Sequence, residues 1–358
     1  MSPAAPIARR KNSLSSSLGL GEKLFASSDE RRFATAIEDG LEAVEAGLLA
    51  QMHYADEIAD ATSRYLLDAG GKRVRPVLTL LAAQLGDGNN GAVITAAQAV
   101  EITHLASLYH DDVMDEAQMR RGVPSAQTVW GNSVAILTGD LLFARASKLI
   151  STLGERAIIL QADTFERLCL GQLHETIGPR HDDDAVEHYL QVLADKTGSL
   201  IALAAEVGVI FANASEDYVM PVRTFGEKIG VAFQLIDDII DLSDKSDVTG
   251  KTAGTDLRAG VSTLPLLYLR ELAKTDSDAD ELLRRIERDV TTAFYGEADE
   301  ADLNEAIAEL RDHAVTARTL EEAHRWAREA VEALSPLPDG PVKKALTRFA
   351  DSIVERSN

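Results

Sequence analysis

The stretch ITHLASLYHDDVMDEAQMRRG, residues 102–122, decides how the chain is read. It opens as an apolar, helix-forming run and ends in Asp111, Asp112 and Asp115, with Arg120 and Arg121 close behind. On a helix, positions i and i+4 share a face one turn apart, so Asp111 and Asp115 point the same way. Like charges at that spacing repel and weaken the helix, so the cluster requires a compensating cation. Oxygen-only ligands suit Mg²⁺, Ca²⁺ or Mn²⁺, and Mg²⁺ fills its shell with waters and substrate phosphate oxygens. A single DDxxD in an acidic chain is most often a solvated helix face. Here the motif recurs: IGVAFQLIDDIID, residues 229–241, again ends an apolar run in Asp237, Asp238 and Asp241. Two such helices predict facing acidic clusters and a cleft that binds a diphosphate through metal ions.

Working outward, the pattern is helix after helix. Aromatics make up only 5% of the chain and alternating β-branched runs are scarce, so strands are not expected. Apolar spacing and stop signals predict helices from Ser28 to about Met52, about Tyr54–Asp68 (ended by Gly70 and Gly71) and from Pro76 onward. Further helices are expected from Ala92 to the first acidic motif, over Ser125–Leu153, Glu155–Glu175 and Asp184–Ala214, and from Asp217 or Pro221 to the second motif. Shorter, more charged helices are expected after Pro265, and a surface helix and loop over the acidic stretch Asp276–Asp302. The expected fold class is all-α: one antiparallel helical bundle over residues 28–358, preceded by a flexible, Arg- and Ser-rich tail at 1–27. A transit peptide is the alternative reading of that tail.

Composition bounds the partners. The 36 basic and 58 acidic residues give a formal charge of −22, which argues against nucleic acid and against tight binding to anionic lipid. No apolar stretch approaches the ~20 residues that span a bilayer. The one cysteine, Cys169, excludes an intrachain disulfide and fits a reducing cytoplasm. Its neighbours Phe165, Leu168 and Leu170 predict a small core residue.

A diphosphate cleft needs cations, and in so acidic a chain their clusters stand out. GGKRVRP, residues 70–76, offers glycines that admit close backbone approach together with Lys72 and Arg75. Arg120 and Arg121 follow the first acidic motif, Lys196 and Thr197 interrupt an apolar helix, Gln234 precedes Asp237 on nearly the same face, and Lys251 follows Asp241. Each alone is a weak signal.

In order, the chain shows GGKRVRP, DDVMDEAQMRRG, GQLHE, DKTGS, FQLIDDIID and GKTAGTDL. This series resembles the trans-polyprenyl diphosphate synthases, over about residues 30 to 350. The resemblance implies an all-α bundle around a deep cavity, a homodimer, and about three Mg²⁺ ions per active site. It implies that Asp111 and Asp115, supported by Asp112, form one metal site and Asp237, Asp238 and Asp241 the other. Arg120, Lys196 and Lys251 would hold an allylic diphosphate such as farnesyl or geranylgeranyl diphosphate. Gly71, Lys72, Arg75, His104 and Arg121 would hold isopentenyl diphosphate; without the resemblance, His104 reads as a buried, satisfied histidine. Thr197 and Gln234 would line the reacting centre, with Gln172 and Glu175 as polar support. One departure is Val261, where many relatives carry a second lysine.

The resemblance also implies that product length is set one turn back from Asp111. Ala106 and Ser107, with Thr103 deeper, are small where short-chain relatives place bulky aromatics. The expectation is roughly six to ten isoprene units, as in a menaquinone side chain, made in a pocket that buries most of its ligand. Geranylgeranyl diphosphate is the short-chain alternative. A non-catalytic subunit would lose aspartates from one motif, and a terpene cyclase would lack the second DDxxD and GGKxxR. Membrane contact is expected to be at most transient.

Overall fold

In the computed structural model, residues 28–243, 253–294 and 300–357 are described. The predicted tail at 1–27 and Lys251 lie outside the described residues. Helix α1, Ser28–Gln51, turns Phe33, Ile37, Val44 and Leu48 inward at helical spacing. Asp56 caps α2, Glu57–Asp68, by accepting from the Ile58 and Ala59 N–H groups. Helix α3, Val74–Ala83, starts from Arg73, and α4, Gly91–Met114, is capped by Asn90 and carries the first acidic motif at its C-terminal end.

The chain then makes the short strands β1, Met119–Arg120, and β2, Val123–Pro124, which the sequence reading missed. Arg121 and Gly122 between them both have positive φ (54° and 77°), the backbone of a tight two-residue hairpin. The expected single helix Ser125–Leu153 is two: α5, Ala126–Trp130, and α6, Asn132–Ser151, broken at Gly131 with φ 84°. Helix α7 is Glu155–Ile177. The expected helix Asp184–Ala214 is also divided: α8, Ala185–Leu193, a π-helical turn at Ala194–Gly198, and α9, Ser199–Phe211. Helix α10, Val219–Asp241, delivers the second acidic motif. There follow α11 (Thr255–Arg258), α12 (Leu264–Leu272), α13 (Ser277–Phe294), α14 (Glu300–Asp312), α15 (Ala314–Ala333) and α16 (Pro341–Val354). The fold class is all-α; the hairpin is the only strand pair among the described residues.

Two compact units emerge. The first takes the described residues up to Glu166, Leu200–Gly226 and Ala333–Phe349. In it, α4 packs mainly on α6, and α3 and α1 also cover it. The Thr79 hydroxyl donates to the Ala204 carbonyl at 2.8 Å, and Gly208 lets the two helices approach until a Cβ there would strike the Thr79 carbonyl. The second unit takes Arg167–Ser199, Glu227–Glu332 and the residues from Ala350 on. There α12 packs on α8 and α13, and α13 on α14. Lys228 bonds Glu329 at 2.6 Å and lies over the Trp326 ring. Cys169 corrects an expectation: it is exposed, on a face of α7 that no described element covers deeply enough to bury it.

Candidate active site

The first acidic motif is built unevenly. Asp111 is half-buried and Asp115 exposed, whereas Asp112 has no exposed surface at all. Its Oδ1 accepts from Arg120 Nε at 2.6 Å and its Oδ2 is buried with no hydrogen-bond partner. Burial raises the Asp112 pKa, opposed by the Arg120 charge. The hairpin makes this contact possible by turning Arg120 back toward α4.

Beside it lies a cluster of cations. Arg121 Nη1 donates to the Leu66 carbonyl at 2.8 Å and to the Gly70 carbonyl. Gly71 and Lys72 are exposed, and Arg75 is half-buried with its Nε unpartnered. Burial draws the Arg75 pKa down to about 10, partly offset by Glu101. His104 is held well below its ordinary range, first by burial and then by Arg75, Arg121, Arg120 and Arg73. The predicted diphosphate residues Arg75, His104, Arg120 and Arg121 therefore share one electrostatic neighbourhood, with His104 neutral and able to offer one N–H.

One to two turns back along α4, Ala106, Ser107 and Thr103 are all buried. The Ser107 hydroxyl donates to the His104 carbonyl and the Thr103 hydroxyl to the Ala99 carbonyl, each at 2.9 Å. With both hydroxyls bonded to their own helix, these residues offer neighbours mainly carbon.

The second unit repeats the uneven construction. Asp238, 2% exposed, accepts from the Tyr189 hydroxyl at 2.6 Å. Burial pushes its pKa up to about 8, against the hydrogen bonds from Tyr189 and Gln234 and with help from Asp256. Asp237 is a third exposed and bridges to Arg356 at 3.0 Å, whose guanidinium lies 4.7 Å from the Phe233 ring centre. Asp241 anchors the next turn: its Oδ2 accepts from the Asp256 N–H at 3.0 Å and its carbonyl from the Gly254 N–H at 2.7 Å.

Lys196 and Thr197 sit in the π-helical turn, a distortion often found at functional sites. Lys196 Nζ lies 2.5 Å from Glu175 Oε2, so two predicted residues meet. Gly171 makes room for the turn: a Cβ there would be 2.7 Å from Lys196 N. Arg167 bonds Asp195 at 2.8 Å and Glu227 at 2.7 Å, fixing the turn from outside. Gln172 has a buried Oε1 without a hydrogen-bond partner. Val261 is 42% exposed.

Sequence reasoning missed Arg73, Arg167, Tyr189, Asp256 and Arg356. Arg73 and Asp256 stand inside GGKRVRP and GKTAGTDL, where nothing local separates their roles from those of their neighbours. Tyr189 and Arg356 carry no local signal, since only the fold brings them to Asp238 and Asp237. Among the described residues no three His, Cys, Asp or Glu side chains converge tightly enough to hold a metal unaided. Carboxylate oxygens on single helix faces fit Mg²⁺, which takes one or two such ligands and completes its shell with water and phosphate.

The sequence profile of the family described as Polyprenyl synthetase matches residues 56–301. The nonaprenyl diphosphate synthase of Mycobacterium tuberculosis is 43% identical over 325 residues, covering 90% of this chain and 94% of its own. A polyprenyl synthase from Caulobacter crescentus, solved with calcium and isoprenyl diphosphate, superposes with TM-score 0.80 at 32% identity, covering 94% of this chain and all of its own. A geranylgeranyl pyrophosphate synthase from Corynebacterium glutamicum superposes with TM-score 0.78 at 38% identity, covering 94% of this chain and 99% of its own. With two DDxxD helices, the cation cluster and matches over nine-tenths of its length, the chain belongs to the polyprenyl synthetase family.

Proposed function

We propose that this protein is a Mg²⁺-dependent prenyltransferase that adds isopentenyl diphosphate to an allylic diphosphate in repeated head-to-tail steps. Its product is an all-trans polyprenyl diphosphate of six to ten units. The observation that carries this reading is the duplicated build of the acidic motifs. In each, the middle aspartate is buried and held by a neighbour, Asp112 by Arg120 and Asp238 by Tyr189. The flanking aspartates at i and i+4 then remain nearer the surface for a metal-bound diphosphate.

Asp111 and Asp115 would hold the ion at one cluster, and Asp237 and Asp241 at the other. When bound, Mg²⁺ supplies charge neutralisation for the departing diphosphate. Arg120, Lys196 and Lys251 orient the allylic diphosphate, and Gly71, Lys72, Arg75, His104 and Arg121 hold isopentenyl diphosphate. Thr197 and Gln234 flank the reacting carbon. Loss of the allylic diphosphate leaves a carbocation that the isopentenyl double bond attacks; a proton then leaves, with the released diphosphate as its acceptor. Carbon-lined Ala106, Ser107 and Thr103 accept the growing tail. The Caulobacter relative holds calcium and isoprenyl diphosphate, which supports the ligand class.

A homodimer completes the reading. Ile136 and Leu137 on α6, and Ile159, Leu170, Leu173 and Ile177 at helical spacing on α7, are exposed apolar residues of the kind a second copy covers. No described helix is long and apolar enough to cross a membrane. We propose a cytoplasmic location on the single cysteine, which fits a reducing compartment.

The test is isopentenyl-dependent release of diphosphate from farnesyl diphosphate. Wild type releases it with Mg²⁺ and not with excess chelator; Asp111→Ala and Asp237→Ala each abolish it while helical circular dichroism persists. Equal release without isopentenyl diphosphate would make the enzyme a cyclase or hydrolase and overturn the proposal.

A further inference from the structure

The segment GGKRVRP carries three cations, and the fold uses them differently. Lys72 is exposed, and Arg75 keeps a buried Nε without a protein partner. Arg73, 10% exposed, is taken up by the protein itself. Its Nε donates to the Glu45 carboxylate on α1. Its Nη1 donates to the Gly70 carbonyl at 3.2 Å and to Glu101 Oε1 on α4 at 3.4 Å, and its Nη2 to the Leu67 carbonyl on α2 at 3.4 Å. One guanidinium thus ties three helices to the glycine loop.

Two backbone features show that the loop is shaped around this side chain. Arg73 lies at φ 54°, ψ 38°, in the left-handed region that disfavours residues with a Cβ. A non-glycine residue persists there only where its surroundings over-determine it, and four hydrogen bonds from Arg73 do so. Gly71 completes the fit: a Cβ there would come within 2.5 Å of Arg73 Nη1 and 3.0 Å of the Arg121 guanidinium. The Gly70 carbonyl is gripped twice, by Arg73 and by Arg121.

We infer that Arg73 is a positioning residue for isopentenyl diphosphate: its planar fork, braced by Glu45 and Glu101, fixes the backbone that carries Gly71, Lys72 and Arg75, and does not itself touch the substrate. Two carboxylates, Glu45 and Glu101, partner its charge. Its geometry is what matters, and lysine cannot reproduce a forked, four-way contact. The inference rests on the proposed reading of this cluster as the isopentenyl diphosphate site.

The experiment compares wild type with Arg73→Lys, Arg73→Gln and the double variant Arg73→Gln/Glu101→Gln. Both single variants raise KM for isopentenyl diphosphate by about tenfold or more, with KM for farnesyl diphosphate changed less than about twofold. The double variant, which also removes the charge of Glu101 (2% exposed), keeps the raised KM. A wild-type KM in Arg73→Lys, or equal rises for both substrates, overturns the inference. Hydrogen exchange on free protein is read in parallel: amides of residues 70–75 exchange faster in both single variants while those of α6 do not change. If wild type fails to elongate, the proposed function falls, and exchange alone decides the brace: faster exchange at 70–75 upholds it and unchanged exchange overturns it.

Discussion

At the scale of single residues, the cation cluster makes a prediction about pH. His104 is kept neutral by burial and by four surrounding arginines, so its folded pKa lies below the ordinary value of 6.5. The unfolded chain takes up a proton near that value while the folded chain does not. The stability tied to neutral His104 is therefore complete above pH 6.5 and is lost as pH falls from there toward the folded pKa, with a slope of up to about 1.4 kcal/mol per pH unit. Urea unfolding of wild type and His104→Gln, compared from about pH 5 to 7.5 without ligands, reads the difference; a variant whose slope matches wild type would mean that His104 titrates normally. The sequence made the cluster legible because Arg120, Arg121, Lys72 and Arg75 are rare charges in an acidic chain. It did not show that Arg73 faces inward, because neighbouring cations in one motif look alike until the fold gives Arg73 two carboxylates from distant helices.

At the scale of elements, helix existence was readable and helix continuity less so. The 3.6-residue pattern located the acidic-motif helices, Gly91–Met114 and Val219–Asp241, within a few residues of their ends. It overlooked the break at Gly131 and the π turn at Ala194–Gly198: a single glycine leaves the apolar pattern running on, and Lys196 and Thr197, which do interrupt it, look the same in sequence whether the backbone there is α or π. The turn is instead fixed by contacts far apart in sequence, among them Arg167 with Asp195 and Glu227 and the close pass of Gly171. Close helix contacts are testable in the same terms. Gly208→Ala would drive a methyl group into the Thr79 carbonyl and to 2.9 Å from the Ala82 Cβ. Backbone cannot yield cheaply, so a loss of about 1–3 kcal/mol is expected, read as a lowered urea midpoint. Gly91→Ala, where a Cβ meets open space, should be neutral or slightly stabilising. Equal midpoints for Gly208→Ala and wild type would contradict the α3–α9 packing.

At the scale of the whole molecule, family membership leaves product length to the individual chain, since relatives named for nonaprenyl and for geranylgeranyl products both match over nine-tenths of it. At these positions the chain offers carbon and small volume: Ala106 is fully buried, and the Ser107 and Thr103 hydroxyls are bonded to their own helix. No aromatic stands at positions 103, 106 or 107, which we propose line the path of the growing tail. The most direct test of this account is to size the dephosphorylated products formed from farnesyl diphosphate, labelled isopentenyl diphosphate and Mg²⁺. It predicts a product of six to ten units. A product that stops at geranylgeranyl length, or no elongation from any allylic primer, would contradict it.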